Sequence, residues 1–305
     1  MHVGYNVADI HRTFLLATLP ALVIAAWTRL VDGGFAAFIT AWSIMTVTVL
    51  AVSFFWHVFF ARVRSRPLDS GWLMHGWLFA MMVPHDLPLS LAAVGISAGA
   101  VIGSLMFGGT GRYLVSPALV GVVLVSLSYP ESFAAAESVS LWSRLGAADG
   151  PVGGNWWQAF LTQDSVATGS VSAAACLLGA LLLSLTGAIS WRIIAGALLG
   201  TALTAALFDL AGHGYVPVHW HWIVGVSPFY IAFVATDPTV APVTRVGRWL
   251  YGALVGALIV IIRTAAPDHP EGTIAACLVA SLFAPLIDRC CLPILLRPRK
   301  TVARP

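Results

Sequence analysis

Residues 76–88 read GWLFAMMVPHDLP and residues 229–242 read FYIAFVATDPTVAP. Each is the proline-stopped end of a predicted apolar helix, over 71–84 and 221–235, of about 14 or 15 residues, short of the roughly 20 needed to cross a bilayer core of about 30 Å. Working outward from this pair, GGTGRYLVSPALV from Gly108 falls opposite PDHPEGTIAACLV from Pro267. The matching segments lie five helices apart and so run in opposite directions, the pattern of an inverted-topology repeat. Short helices in corresponding positions of two such halves point to a site near the membrane midplane.

The composition requires lipid as the solvent. Of 305 residues 59% are apolar and 10% charged, too few charges to cover the surface of a water-soluble domain. Apolar runs predict helices near 12–28, 35–60, 71–84, 89–107, 115–130, 166–190, 193–211, 221–235, 249–265 and 272–296, about ten spans of an all-α integral membrane protein. One polytopic domain fills the chain: a first half over about 12–130, a loop over 131–163 and a second half over about 164–296. The first apolar run carries no cleavage pattern and is read as a retained helix.

Charge placement orients these spans. With the N-terminus in the cytoplasm, thirteen of the sixteen basic residues fall on that side, and Arg29, Arg144 and Arg263 fall on the other. The positive-inside rule then puts both termini in the cytoplasm and the 131–163 loop, with Trp156 and Trp157, outside. Cys176, Cys277, Cys290 and Cys291 show no CxxC spacing, which argues against iron–sulfur or zinc ligation, and no metal ligand set is expected. Nothing in the charge pattern calls for nucleic acid.

Two segments carry candidate chemistry. In FGGTGRY, Gly108, Gly109 and Gly111 free the backbone at a helix end to approach a ligand, Arg112 adds positive charge, and Ser116 follows in SPAL. The other reading is a tight turn with a positive-inside arginine. In ATDP, Thr236 and Asp237 stand at a proline-broken helix end, where the carboxylate could accept hydrogen bonds from a flavin or help hold a cation. The alternative is a helix stop with Asp237 in cytoplasmic water. His219 and His221, in PVHWHW, are read as part of an interfacial aromatic belt rather than a metal site.

The runs GWLFAMMVP, FGGTGRYLVSPALV, SWRIIAGALLG, FVATDPTVAPVT, GRWLYGALVGALIVIIR and PEGTIAACLVASLFAPLID, in this order and at these intervals, resemble the B subunit of the sodium-translocating NADH:quinone reductase and the D subunit of the Rnf complex. The resemblance runs from about Thr13 to Asp288 and is tightest in the second half. It implies ten helices in two inverted halves, a covalent FMN on the periplasmic side, a noncovalent riboflavin in some members, and electron transfer linked to Na⁺ or H⁺ movement. The family joins its FMN through the phosphate to a threonine in a string like Ser-Gly-Ala-Thr. Here Ser165-Val-Ala-Thr168 is the nearest string, but counting back from SWRIIAG places the flavin segment near residues 138–142, which contain no threonine. The attachment residue is thus either Thr168, with a shifted loop, or missing.

The expected function is that of a membrane subunit of an ion-translocating electron-transport complex in the bacterial inner membrane. No NADH-binding fold or cluster-binding cysteine motif is recognised, so the subunit needs membrane and soluble partner subunits and is not an enzyme alone. Quinone is a further candidate partner. The rival expectation is a flavin-less transporter, channel or scaffold subunit of the same fold.

Overall fold

The computed structural model describes residues 7–130, 133, 156–162, 167–212, 217–265 and 272–295. Residues 138–142, Ser165 and most of the 131–163 loop lie outside these, as do residues 267–271 of the proposed repeat match. The described residues are helical apart from turns and one isolated antiparallel bridge between Pro84 and Ala167.

In chain order the helices are α1 (Val7–Val31), α2 (Phe35–Val63), α3 (Gly71–Met82), α4 (Leu89–Ala98), α5 (Pro117–Ser128), α6 (Trp156–Leu161), α7 (Ala173–Leu185), α8 (Trp191–Leu210), α9 (Val218–His221), α10 (Ser227–Phe229), α11 (Arg245–Ala265) and α12 (Gly272–Leu295). Six are long and apolar enough to cross a membrane once α4 is followed to Phe107. Their leucines, such as Leu199, Leu203 and Leu210 of α8, are exposed on the outside of the bundle, as is Leu185 of the shorter α7. Apolar side chains in such numbers on a surface are stable only against lipid, and the protein is a multi-pass membrane protein.

The two short helices sit inside. Nine of the twelve residues of α3 are buried, and so are all eight from Ser227 to Val234. At about 1.5 Å per residue α3 covers roughly 18 Å, well below a full span. The predicted eighth helix is not one helix. Gly225 takes a left-handed φ of +68°, Pro228 opens α10, and residues Tyr230–Val234 continue as a π-helix. The predicted sixth helix is likewise split, because its first residues form a 3₁₀ turn at Thr168–Ser170 before Ser172 caps α7 by accepting from the Ala175 N–H at 3.1 Å.

Glycine sets the close crossings. Gly95, Gly99 and Gly103 recur every fourth residue on α4 and its π-helical continuation, and a side chain at Gly103 would come within 2.8 Å of the Pro117 backbone. On the other side Gly196 and Gly200 of α8 face Gly252 and Gly256 of α11, backbone against backbone. Where lipid supplies no hydrophobic drive between helices, such small-residue seams let the backbones pack closely. α1 packs against α7, and α5 against α12.

Candidate functional site

The loop after α4 is built by its glycines. Gly108, Gly109 and Gly111 have φ of +110°, +94° and +86°, a region closed to most side chains. The Gly108 and Gly109 N–H groups close the preceding turn on the Leu105 and Ser104 carbonyls, a helix end that needs left-handed residues. Ser116 is the buried N-cap residue of α5. Arg112 is exposed.

This loop is clamped from an unexpected direction. Asp69, in the α2–α3 connection, accepts from the Thr110 N–H at 2.6 Å, from the Thr110 hydroxyl, and from the Gly71 N–H at 3.2 Å. Burial pushes the Asp69 carboxyl up, but these hydrogen bonds outweigh it and hold the group below the usual carboxylate range. Gly71 is required here, since a Cβ would meet the Thr110 hydroxyl and would lie 2.9 Å from the His75 ring.

Asp237 does not face water. It is 1% exposed, which overturns the plain helix-stop reading. Its Oδ1 accepts from the Thr239 N–H at 2.9 Å and its Oδ2 from the Tyr113 hydroxyl at 3.3 Å. The first bond is an Asx turn, which fixes the chain as it leaves the π-helix. The second joins the two predicted segments across 124 residues. Tyr113 is itself buried, at 3% exposure, with His75 edge-on to its ring at 5.4 Å between centroids. Thr236 is buried and turned back onto the Ala232 carbonyl. Outside this turn a cleft of about 110 Å³ is lined by Ser190, Thr236, Pro238 and Arg248 among others.

The structure therefore brings Gly108–Gly111 and Asp237 to one end of the molecule, adding Asp69, Thr110, Tyr113 and Thr239, which sequence reasoning missed. A faint signal existed for Tyr113, the first bulky residue after a run of left-handed glycines. None existed for Asp69, whose partner Thr110 is 41 residues away.

Thr168 lies elsewhere, in the 3₁₀ turn beside the Pro84–Ala167 bridge. It is 1% exposed and its hydroxyl has no hydrogen-bond partner. Next to it Gly169 packs against the Phe229 ring and the Met81 carbonyl. A flavin phosphate on this oxygen does not fit the packing, because the ester would have to displace the walls around it. Nor does Thr168 cap α7, which is capped by Ser172. Likewise Arg263 is turned inward, donating to the Val224 carbonyl at 3.0 Å and the His221 carbonyl at 3.4 Å. Among the described residues no group of three or more His, Cys, Asp or Glu could hold a metal ion.

Comparison with known proteins decides the family. Residues 1–296 match the model of the NQR2, RnfD, RnfE family. The chain belongs to this family. It is 38% identical over 281 residues to the B subunit of the Na(+)-translocating NADH-quinone reductase of Pseudomonas aeruginosa (strain LESB58), covering 86% of this chain and 68% of the relative. The corresponding protein of Klebsiella pneumoniae (strain 342) is 37% identical over 288 residues, covering 87% and 68%. In this NQR2/RnfD/RnfE chain the Tyr113–Asp237 hydrogen bond joins the end of the glycine loop to the ATDP turn.

Proposed function

We propose that this protein is the membrane subunit of an Nqr- or Rnf-type electron-transport complex in the bacterial inner membrane, and that it holds a noncovalent flavin between the 108–113 loop and Asp237. The single observation that carries the reading is the buried Tyr113–Asp237 hydrogen bond between a left-handed glycine loop and a proline-broken helix end. A carboxylate and a phenol enclosed inside the protein carry a desolvation cost that a purely structural turn could avoid. The residues fit a flavin chemically: Asp237 and Tyr113 offer an acceptor and a hydroxyl, and Gly108, Gly109 and Gly111 add no side chains to the loop. When bound, flavin supplies electron acceptance and donation. Asp237 would orient the ring through its polar edge, and Asp69 would hold the loop in place. Partner subunits would deliver and remove the electrons, with quinone as a candidate acceptor and Na⁺ or H⁺ as the coupled cation.

The ten-span, two-half architecture belongs to the same proposal. Its support is that contacts between halves pair equivalent helices, the first with the sixth (α1 with α7) and the fifth with the tenth (α5 with α12), as a two-fold axis in the membrane plane would require.

Flavin content tests the site. The purified protein should release riboflavin or FMN on acid extraction, and Asp237→Ala should lower the bound amount at least fivefold while the helical circular dichroism stays unchanged. Equal flavin in the variant would remove the site from consideration. A second reading, a flavin-less member of the family, is favoured specifically for the covalent FMN by the enclosed Thr168 hydroxyl. Co-expressed with a flavin transferase, the denatured protein should show no in-gel flavin fluorescence, and Thr168→Val should leave that result unchanged. A fluorescent band lost in Thr168→Val would restore the attachment.

A further inference from the structure

Three buried ring nitrogens stand beside this site with no hydrogen-bond partner: Nε2 of His57 and both nitrogens of His75. The two side chains are 1% and 0% exposed. They come from different helices, α2 and α3, with ring centroids 6.0 Å apart. A buried polar atom without a partner destabilises the fold, and a native membrane protein keeps such groups mainly where they act.

Chemistry assigns the His57 tautomer. Nδ1 lies 2.8 Å from the Ser53 carbonyl oxygen, which can only accept, so Nδ1 carries the hydrogen. In the neutral ring Nε2 is then a bare lone pair, ready to take a proton. His75 has one N–H and one lone pair, and it lies between His57 and the Tyr113 ring, at 6.0 and 5.4 Å between centroids. Beyond Tyr113 lies Asp237. The α2–α3 connection lies at the same end of the molecule, with Asp69 and the His11–Ser70 hydrogen bond of 3.0 Å.

We propose that His57 and His75 form a proton path from the α2–α3 connection to the Tyr113–Asp237 pair, so that Asp237 takes up a proton. The inference rests on the reading that Asp237 is a working site, but it requires no flavin. His57 accepts a proton at Nε2. It releases that proton again from Nε2, because its Nδ1–H stays on the Ser53 carbonyl. His75 takes the proton at its free lone pair and gives up the hydrogen on its other nitrogen to the Tyr113 oxygen, and the Tyr113 hydroxyl hydrogen passes to Asp237 Oδ2. Asp237 ends as a neutral acid that has gained one proton, and both histidines return to their starting charge. The titratable groups facing the pair are His11 from α1, Asp69 from the α2–α3 connection, and Tyr113 and Asp237 from the two loops, with Tyr251 of α11 facing Asp237 in turn.

The test is infrared spectroscopy of the full-length protein in detergent. As the pH falls, a protonated-carboxyl band should appear that is missing in Asp237→Asn, and in heavy water it should shift within the mixing time. In His57→Phe and His75→Phe, and in His75→Gln, which keeps a polar group but cannot relay a proton, the same shift should slow at least tenfold. Slow exchange in the unmodified protein overturns the proposal without any variant having to fold. Unchanged exchange in all three variants overturns it as well. Flavin content measured on the same samples reports separately on the flavin reading, since loss of flavin with intact exchange would sink one and leave the other.

Discussion

Asp69 shows how much one missed side chain can organise. It accepts three hydrogen bonds that tie the glycine loop to the start of α3. Asp69→Ala should cost about 1–3 kcal/mol, the range for leaving buried donors unpaired, and thermal melts in detergent would measure it. The pH dependence follows from the depressed carboxyl. Its stabilisation is complete above the unfolded-chain value of about 3.9 and disappears as pH falls through the lower folded value. The melting temperature of the unmodified protein should therefore fall on acidification more steeply than that of Asp69→Asn. Parallel curves would mean that the clamp contributes nothing. Tyr113→Phe removes only one neutral hydrogen bond to Asp237 and should lower flavin content less than Asp237→Ala does.

Among the elements, the pairing of α8 with α11 depends most on small residues. Gly252 and Gly256 leave no space for a Cβ against the α8 backbone. Gly252→Val should therefore destabilise by about 1–3 kcal/mol or more, as overpacking does. Leu203→Ala, on the exposed outer face of α8, should change the melting temperature little. If both variants melt alike, the seam is looser than described. The short α3 and the broken 227–234 segment behave differently from these long helices. They have no lipid face to fill, so their positions can carry histidine, serine and proline that a lipid-facing span would exclude.

For the whole molecule, the Asp69 connection, the 108–113 loop, the ATDP turn and the Asp288 contacts with Val243 and Thr244 lie at one end. Arg64, Arg112, Arg245 and Arg248 belong to the same segments. A cytoplasmic reporter fused to the C-terminus should be active and a periplasmic one silent if the charge asymmetry sets the orientation. The reverse pattern would turn the protein over in the membrane and place the polar site on the outer side.

What the sequence determined by itself was the solvent, the fold class and the two breaks. Lipid-length apolar runs and proline stops are local properties, set by backbone hydrogen bonding in a medium without water. It also marked the glycine loop and Asp237, because three glycines within four residues and an acid beside a proline break stand out against apolar runs. Only the tertiary structure decided that Asp237 is buried against Tyr113, that Asp69 clamps the loop, and that His57 Nε2 and both His75 nitrogens stand together without partners. These contacts join residues up to 124 positions apart, and hydropathy cannot tell which face of a uniformly apolar helix looks inward. The same limit applies to Thr168, whose small-residue surroundings are equally compatible with an open attachment point and with the closed turn that packing makes of it.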